Sequence, residues 1–324
     1  MNESKSSFRK VITELTGGTE HISRGSLQQF SDIDPASLRL LQEAWPRIAP
    51  DRKWKLLEGL EALADEDTLV SFEDFARSLL TDPDAGVRTR AIRLLDESKD
   101  VKLIPLLVRI LKDDPDAGTR AEAATALGKY VELGELEEIP EEAQGEVEDA
   151  LLEKANSEDQ LAVRRNALEA LGFSSRPEVI TLIESSFRRE NPEWQASALF
   201  AMGRSCDERW EESVLSSLMD ANTLVRLAAV EAAGELRLAS ARTALLRVLE
   251  EEEEDDIASA AIWSLSQIGG EDARLYIENL LDLAEDEEDV KFLEEALDNI
   301  EFTDELNQFD LLSIDPDDEE HGPA

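Results

Sequence analysis

The stretch Asp82-Pro83-Asp84-Ala85-Gly86-Val87-Arg88-Thr89-Arg90-Ala91-Ile92-Arg93-Leu94-Leu95 decides the reading of this chain, because it returns 32 residues later as Asp114-Pro115-Asp116-Ala117-Gly118-Thr119-Arg120-Ala121-Glu122-Ala123-Ala124-Thr125-Ala126-Leu127. Each copy holds an acid, a short turn, a β-branched residue followed by arginine, alanine three residues on and leucine four beyond that. The pattern continues at Glu158 with Val163, Arg164, Ala167 and Leu171, at Pro192 with Trp194, Gln195, Ala198 and Met202, and at Asp220 with Val225, Arg226, Ala229 and Ala233. The offsets are 32, 44, 31 and 31. Self-similarity at such a period marks stacked supersecondary units. The 44 is one unit plus an insertion, expected near residues 132–145, where acidic residues, Pro140 and two glycines interrupt the pattern. Degenerate copies at Lys55, Gly59 and Leu63, at Ile257, Ala261 and Leu265, and at Val290-Lys291 bring the expectation to about eight units.

Within a unit, apolar residues recur every three or four positions, the period of an amphipathic helix. Leu103, Leu106, Leu107, Ile110 and Leu111 would face inward from a first helix, and Thr119, Ala123, Ala126 and Leu127 from a second. Gly128, Gly172, Gly203 and Gly234 close the apolar run of the second helices, where a left-handed C-terminal cap is expected. Acid and arginine sit six residues apart in Asp82 and Arg88, Asp114 and Arg120, Glu158 and Arg164, and Asp220 and Arg226. An acid at the inter-helix turn accepts from helix-start amides, and an arginine one turn into the helix reaches the next repeat's acid. Regular spacing of this kind predicts a structural ladder between repeats; the other reading is a row of arginines that binds anions.

The D-P-D-x-x-V-R-x-x-A pattern and its kin resemble the HEAT repeat, in the subtype named after phycobilisome lyases, over roughly residues 50–300. Gln195 and Ala258 depart from it by replacing the arginine. The resemblance implies an all-α, right-handed α-α superhelix of about eight two-helix repeats. It implies little about activity, since that family includes scaffolds, adaptors, transport factors and a few enzymes. The expected organisation is an N-terminal arm with a short amphipathic helix (1–34), the solenoid (35–302) and an acidic, partly disordered C-terminal tail (303–324).

Composition narrows the function classes. The formal net charge is −42, from 75 acidic and 33 basic residues, and residues 248–324 hold 28 acids against 2 bases. Such a surface repels phosphate backbones and anionic lipid heads, so neither nucleic acid nor membrane is an expected partner. Solubility of a long array, or a salty habitat, would account for the same acidity. A polar start and the lack of a long apolar run point to the cytoplasm, as does a single cysteine, Cys206.

Catalytic equipment is sparse. The only histidines, His21 and His321, lie in the flanking segments, which leaves no set of ligands for zinc or for the di-iron centre of HEAT-like hydroxylases, and no Ser-His or Cys-His pair. No catalytic, cofactor-binding or metal-binding residue is expected, and Cys206 reads as incidental. The second helices of a HEAT solenoid line its concave side, so polar and aromatic residues there are the candidate contacts for a partner: Arg90, Arg93, Arg165, Asn166, Glu169, Arg204, Arg209 and Trp210. Trp45, Trp54 and Trp263 read as core or cap residues, and Trp194 as packing. The expected function is a non-catalytic adaptor or scaffold holding a protein partner on its concave face, with the acidic C-terminal third favouring a basic one; the alternative is a lyase-type or chaperone-like protein acting on a protein-bound chromophore.

Overall fold

The computed structural model describes the backbone of residues 2–17 and 22–313 and the side chains of 8–17 and 22–306. His21, His321 and the last eleven residues of the expected tail lie outside the described residues. The chain divides into two compact units, Met1–Leu171 and Gly172–Ala324. Among the described residues there is no strand.

In the first unit, α1 (Asn2–Gly17) and the single turn α2 (Arg24–Leu27) precede four helix pairs: α3 (Pro35–Ala44) with α4 (Pro50–Glu66), α5 (Glu73–Leu79) with α6 (Ala85–Arg93), α7 (Ile104–Asp113) with α8 (Ala117–Glu135), and α9 (Glu141–Ala155) with α10 (Leu161–Ala170). The second unit holds four more: α11 (Pro177–Phe187) with α12 (Pro192–Arg204), α13 (Glu211–Ser217) with α14 (Thr223–Glu235), α15 (Arg242–Glu251) with α16 (Asp255–Ile268), and α17 (Glu271–Leu283) with α18 (Glu287–Ser313). This is the all-α HEAT-type solenoid of about eight two-helix repeats. Second helices stack on second helices, α4 on α6, α6 on α8 and α8 on α10 in one unit, α12 on α14, α14 on α16 and α16 on α18 in the other.

The Asp-Pro-Asp turn builds each second helix locally. Its first aspartate folds the turn by accepting the amide two residues on, Asp84 N to Asp82 Oδ1 at 2.9 Å and Asp116 N to Asp114 Oδ1 at 2.9 Å. Its second aspartate is the N-cap, with Val87 N donating to Asp84 Oδ1 at 3.1 Å and Thr119 N to Asp116 Oδ1 at 2.8 Å. Each such cap stabilises its helix by about 1 kcal/mol. Val87, Ala91, Thr119, Ala123 and Leu127 then bury fully on the side facing the first helices.

The structure departs from the sequence reading at several places. The insertion is absorbed as helix: α8 runs for 19 residues where α12 and α14 run for 13. The N-terminal arm is docked, since Phe8, Val11 and Leu15 are buried and Arg52 donates to the carbonyls of Glu14 and Leu15 at 3.0 Å each, closing the C-terminal end of α1. Helicity does not stop at residue 302. Thr303 is buried on α18 with its hydroxyl 3.3 Å from the Ser266 carbonyl, and Asp304 accepts from Gly270 N at 2.9 Å.

The four glycines are not left-handed caps. Among the described residues the only glycines with positive φ are Gly269 and Gly270. Gly128, Gly172, Gly203 and Gly234 instead sit where successive second helices cross: a Cβ on Gly203 would lie 3.0 Å from the Ala232 Cα, and one on Gly234 2.8 Å from the Ser264 Cα. The left-handed position falls three residues after Gly203 and Gly234, on Cys206 and Arg237, and beyond the longer α8 on Glu137. Leu238 N donates to the Ala233 carbonyl at 3.0 Å around Arg237, closing the helix in the six-residue pattern that normally carries glycine.

Candidate functional site

The ladder residues form a stacking device. Arg88 grips Asp114 with two bonds, Nε to Oδ2 and Nη2 to Oδ1, both 2.7 Å, and its Nη1 donates to the Asp82 carbonyl at 2.8 Å. Arg226 grips Glu252 at 2.8 and 3.0 Å and donates to the Asp220 carbonyl at 2.9 Å. Each arginine thus clamps the turn it follows and bridges to the turn 26 residues ahead. Arg120 repeats the geometry on Asp159, 39 residues ahead because the insertion intervenes, donating from Nε at 2.9 Å and to the Asp114 carbonyl at 2.7 Å. Lys53 stands in the arginine's place before Asp82, 3.7 Å from its carboxylate, while the Trp45 indole N–H donates to the same carboxylate at 2.6 Å.

One rung was misassigned. Glu158 is exposed, and its neighbour Asp159 carries the contacts: Arg120, Lys154 Nζ at 2.8 Å and Gln160 N at 2.7 Å. Two acids stand side by side in this turn, and only the second points back toward the preceding repeat. The Arg120 hydrogen bonds, joined by Lys154 and the Gln160 amide, hold the Asp159 carboxyl well below the usual carboxylate range. Arg164 donates to the Ala155 carbonyl at 3.4 Å.

The candidate contact residues fall into two groups. In the first unit, Arg90 pairs with Glu61 and lies 5.2 Å over the Trp54 ring, and Arg93 donates to Glu122 at 3.0 and 2.9 Å. Burial pushes the Glu61 carboxyl up against the opposing pull of Arg90 and Arg93. Asn166 donates to the Thr125 hydroxyl at 3.0 Å, and Arg165 stands 3.8 Å from Glu169 on the same helix. In the second unit, Arg204 lies 4.2 Å over the Phe200 ring and 5.0 Å over Phe173. Arg209 folds onto Asp207 at 2.5 Å, outside this group. Trp210, offered as a surface contact, is buried at 4% exposure under the turn that starts α13. Conversely Trp54 and Trp263, read as core or cap residues, are 42% and 41% exposed and so are not core.

Arg204 marks the edge of a cleft of about 400 Å³ on the second-helix face of the second unit, walled by Phe173, Phe200 and Arg204, by Glu231 and Glu235 of α14, and by Trp263 and Gln267 of α16. Trp263 is backed by the ring of Phe292, stacked at 6.5 Å and 28°. Partial desolvation in the cleft and the Glu235 carboxylate one turn away both push the Glu231 carboxyl up.

A signal in the sequence would have found this cleft. The residues two positions after the repeat alanine are Arg93, Thr125, Glu169, Phe200, Glu231 and Trp263, and those six after it are Glu97, Lys129, Phe173, Arg204, Glu235 and Gln267. None of these is buried. Positions four apart share one helix face, so these two rows are the open side of every second helix. Hydrophobicity alone hides the rows, because an aromatic residue in an alanine-rich helix reads as core.

A family model for HEAT repeats matches residues 49–128, 181–266 and 211–299. The chain belongs to the HEAT-repeat family. No curated protein matches it in sequence. Among solved structures, this HEAT array is similar in fold to the CpcE–CpcF complex of phycocyanin lyase from Nostoc, with a TM-score of 0.54 and 16% identity over 87% of this chain and 96% of that one. Human deoxyhypusine hydroxylase gives a TM-score of 0.35 at 16% identity, covering 82% of this chain and 98% of that one. The karyopherin Kap121p bound to Pho4p gives 0.47 at 15%, covering 96% of this chain and 40% of that one. At these identities the likeness is one of fold. Among the described residues no group of three or more His, Cys, Asp or Glu is placed to hold a metal ion, and no helix is long and apolar enough to cross a membrane.

Proposed function

We propose that this HEAT array is a non-catalytic cytoplasmic scaffold or adaptor that holds a protein partner, a basic one, on the face formed by its second helices. The observation that carries the reading is the open aromatic cleft of the second unit. Trp263 keeps 41% of its surface in water although the alanine-rich helix around it is packed tightly. A tryptophan buries up to about 250 Å², so about 100 Å² stays uncovered, and covering it would contribute about 2.5 kcal/mol. Tryptophan and arginine lining one cleft are the composition of an interface anchor rather than of a solvated face. The ladder supports the reading from the other side, since clamps between repeats hold the two open rows in fixed register and a rigid surface loses little entropy on binding.

Photo-crosslinking tests the face. Benzoylphenylalanine at Phe200, in the cleft, is compared with the same residue at Thr181, exposed on the first helix α11. Protein adducts in the native cell from Phe200 and not from Thr181 are expected. Equal labelling from both positions, or none from Phe200, refutes the scaffold reading.

A further inference from the structure

We infer that the cleft between α12, α14 and α16 receives a lysine or arginine side chain of the partner, held between the Trp263 ring and the carboxylates of Glu231 and Glu235. The inference rests on the scaffold reading and gives that surface its chemistry.

Three observations converge. Glu231 and Glu235 sit one turn apart on α14 and both line the cleft. Like charges at that spacing repel; among the described residues neither carboxylate is in an ion pair, and desolvation and Glu235 both push the Glu231 carboxyl up. Arg204 is the one cation among the lining residues and lies over Phe200 and Phe173, so the two carboxylates leave the cleft net negative, where low-dielectric walls concentrate the potential. Next, its rings already accept a cation from the chain itself: the Arg204 guanidinium lies over Phe200 and Phe173 at 4.2 and 5.0 Å. Trp263 is the remaining aromatic wall. Among the described residues no cation lies over it, and Phe292 supports its far side. Finally, the walls are more apolar than polar, which suits the aliphatic stem of a lysine or arginine while its head reaches the carboxylates. A purely aliphatic side chain would leave the carboxylates unpaired, and an anionic one would be repelled by them.

The probe is a fluorescein-labelled nonapeptide of alternating serine and lysine, titrated against the full chain by anisotropy. The same peptide with acetylated lysines serves as the uncharged control. Trp263→Leu keeps an apolar side chain and removes the ring that attracts cations, so affinity is expected to fall about fivefold or more. Glu231→Gln with Glu235→Gln is expected to do the same. Glu253→Gln with Glu254→Gln removes equal charge from the exposed turn before α16 and is expected to stay within about twofold. The far-UV spectrum and melting curve of each variant confirm folding, and Trp263→Phe, which keeps a ring, is expected to retain most of the affinity. The inference is overturned if the two acid pairs weaken binding equally, which would make it diffuse attraction to an acidic chain, or if Trp263→Leu binds like the unaltered protein. Adducts from Phe200 that persist in either of those cases leave the scaffold reading standing and remove only the cation site.

Discussion

Removing both arms of the Arg88 and Asp114 rung should destabilise the array no more than removing one. The Arg88 side chain is 9% exposed and that of Asp114 6%, and they share two bonds of 2.7 Å. Arg88→Met keeps most of the stem's volume but withdraws the guanidinium, leaving a buried carboxylate without its counterion. Breaking a buried pair in this way costs about 3–5 kcal/mol. Asp114 still accepts the Asp116 amide at 2.9 Å, which places the cost near the lower bound, about 3 kcal/mol. Asp114→Ala strands the guanidinium instead and also loses the turn bond, again about 3 kcal/mol. With both changed, no charge is left buried and unpaired, so the double variant should lose about 3 kcal/mol rather than the additive 6, a coupling of about 3 kcal/mol. Urea unfolding followed by circular dichroism at 222 nm gives the four free energies of the cycle. Coupling below about 0.5 kcal/mol would mean that the rung is a bystander to repeat stacking, and the account of the ladder would fall with it.

Asp159 predicts the acid limb of the stability curve. Its folded-state pKa is depressed, so the stabilisation it supplies is complete above the usual aspartate value of about 3.9 and is lost as pH falls below that toward the depressed one; Asp159→Asn should flatten the decline of melting temperature below about pH 4, and an unchanged slope would contradict the assignment. Gly234→Ala should destabilise by about 1 kcal/mol or more through collision with the α16 backbone, whereas Gly145→Ala, which meets nothing within 4 Å in α9, should stabilise by about 1 kcal/mol, both read from denaturant midpoints. Arg237→Gly relieves a left-handed conformation and should raise stability by about 0.5–1 kcal/mol despite the flexibility it adds to the unfolded chain. Burial pushes the Tyr130 phenol, whose hydroxyl donates to the Ser98 and Asp100 carbonyls, up to about 12, so a spectrophotometric titration should show one of the two tyrosines ionising there.

The periodic part of this chain was legible because its physics is periodic. A ladder needs an arginine at a fixed distance from an acid, so Arg88, Arg120 and Arg226 announce themselves by spacing, and the 13-residue difference between the Arg120 rung and the other two reproduces the insertion read from the repeat offsets. Spacing fails where two residues of one type stand together. Glu158 and Asp159 differ in sequence by one methylene and one position, and only the direction of the turn separates them. It fails again where one residue type has two uses: glycine serves both for positive φ and for close approach, and in Gly128, Gly172, Gly203 and Gly234 close approach was the use, while Glu137, Cys206 and Arg237 took the positive φ. Trp210, a candidate contact, is buried, and Trp54 and Trp263, candidates for core or cap, are not core, because side-chain hydrophobicity does not say which face of a helix a residue occupies. Position relative to the repeat alanine does.

That register explains how one repeat supports a specific surface. The ladder arginine, the capping aspartates, the repeat alanine and the close-approach glycine all lie on faces turned toward other helices, and the packing they make is nearly the same in every unit. The positions two and six after the alanine are never buried, so their identity is left open by the fold. In the first unit they are mostly charged, Arg93 and Glu97, Thr125 and Lys129, then Glu169, and the cations among them are engaged within the chain, Arg93 with Glu122 and Lys129 with Glu97. In the second unit the same positions are Phe173, Phe200, Arg204, Glu231, Glu235, Trp263 and Gln267; the arginine lies over Phe173 and Phe200, and the Trp263 ring surface and the two carboxylates are left without a cation partner among the described residues. A surface that balances its own charges has little left to offer a partner. One that keeps an exposed indole near two carboxylates without an ion pair gains from a partner that brings a cation, which is why the proposed binding role is placed on the second unit rather than on the array as a whole.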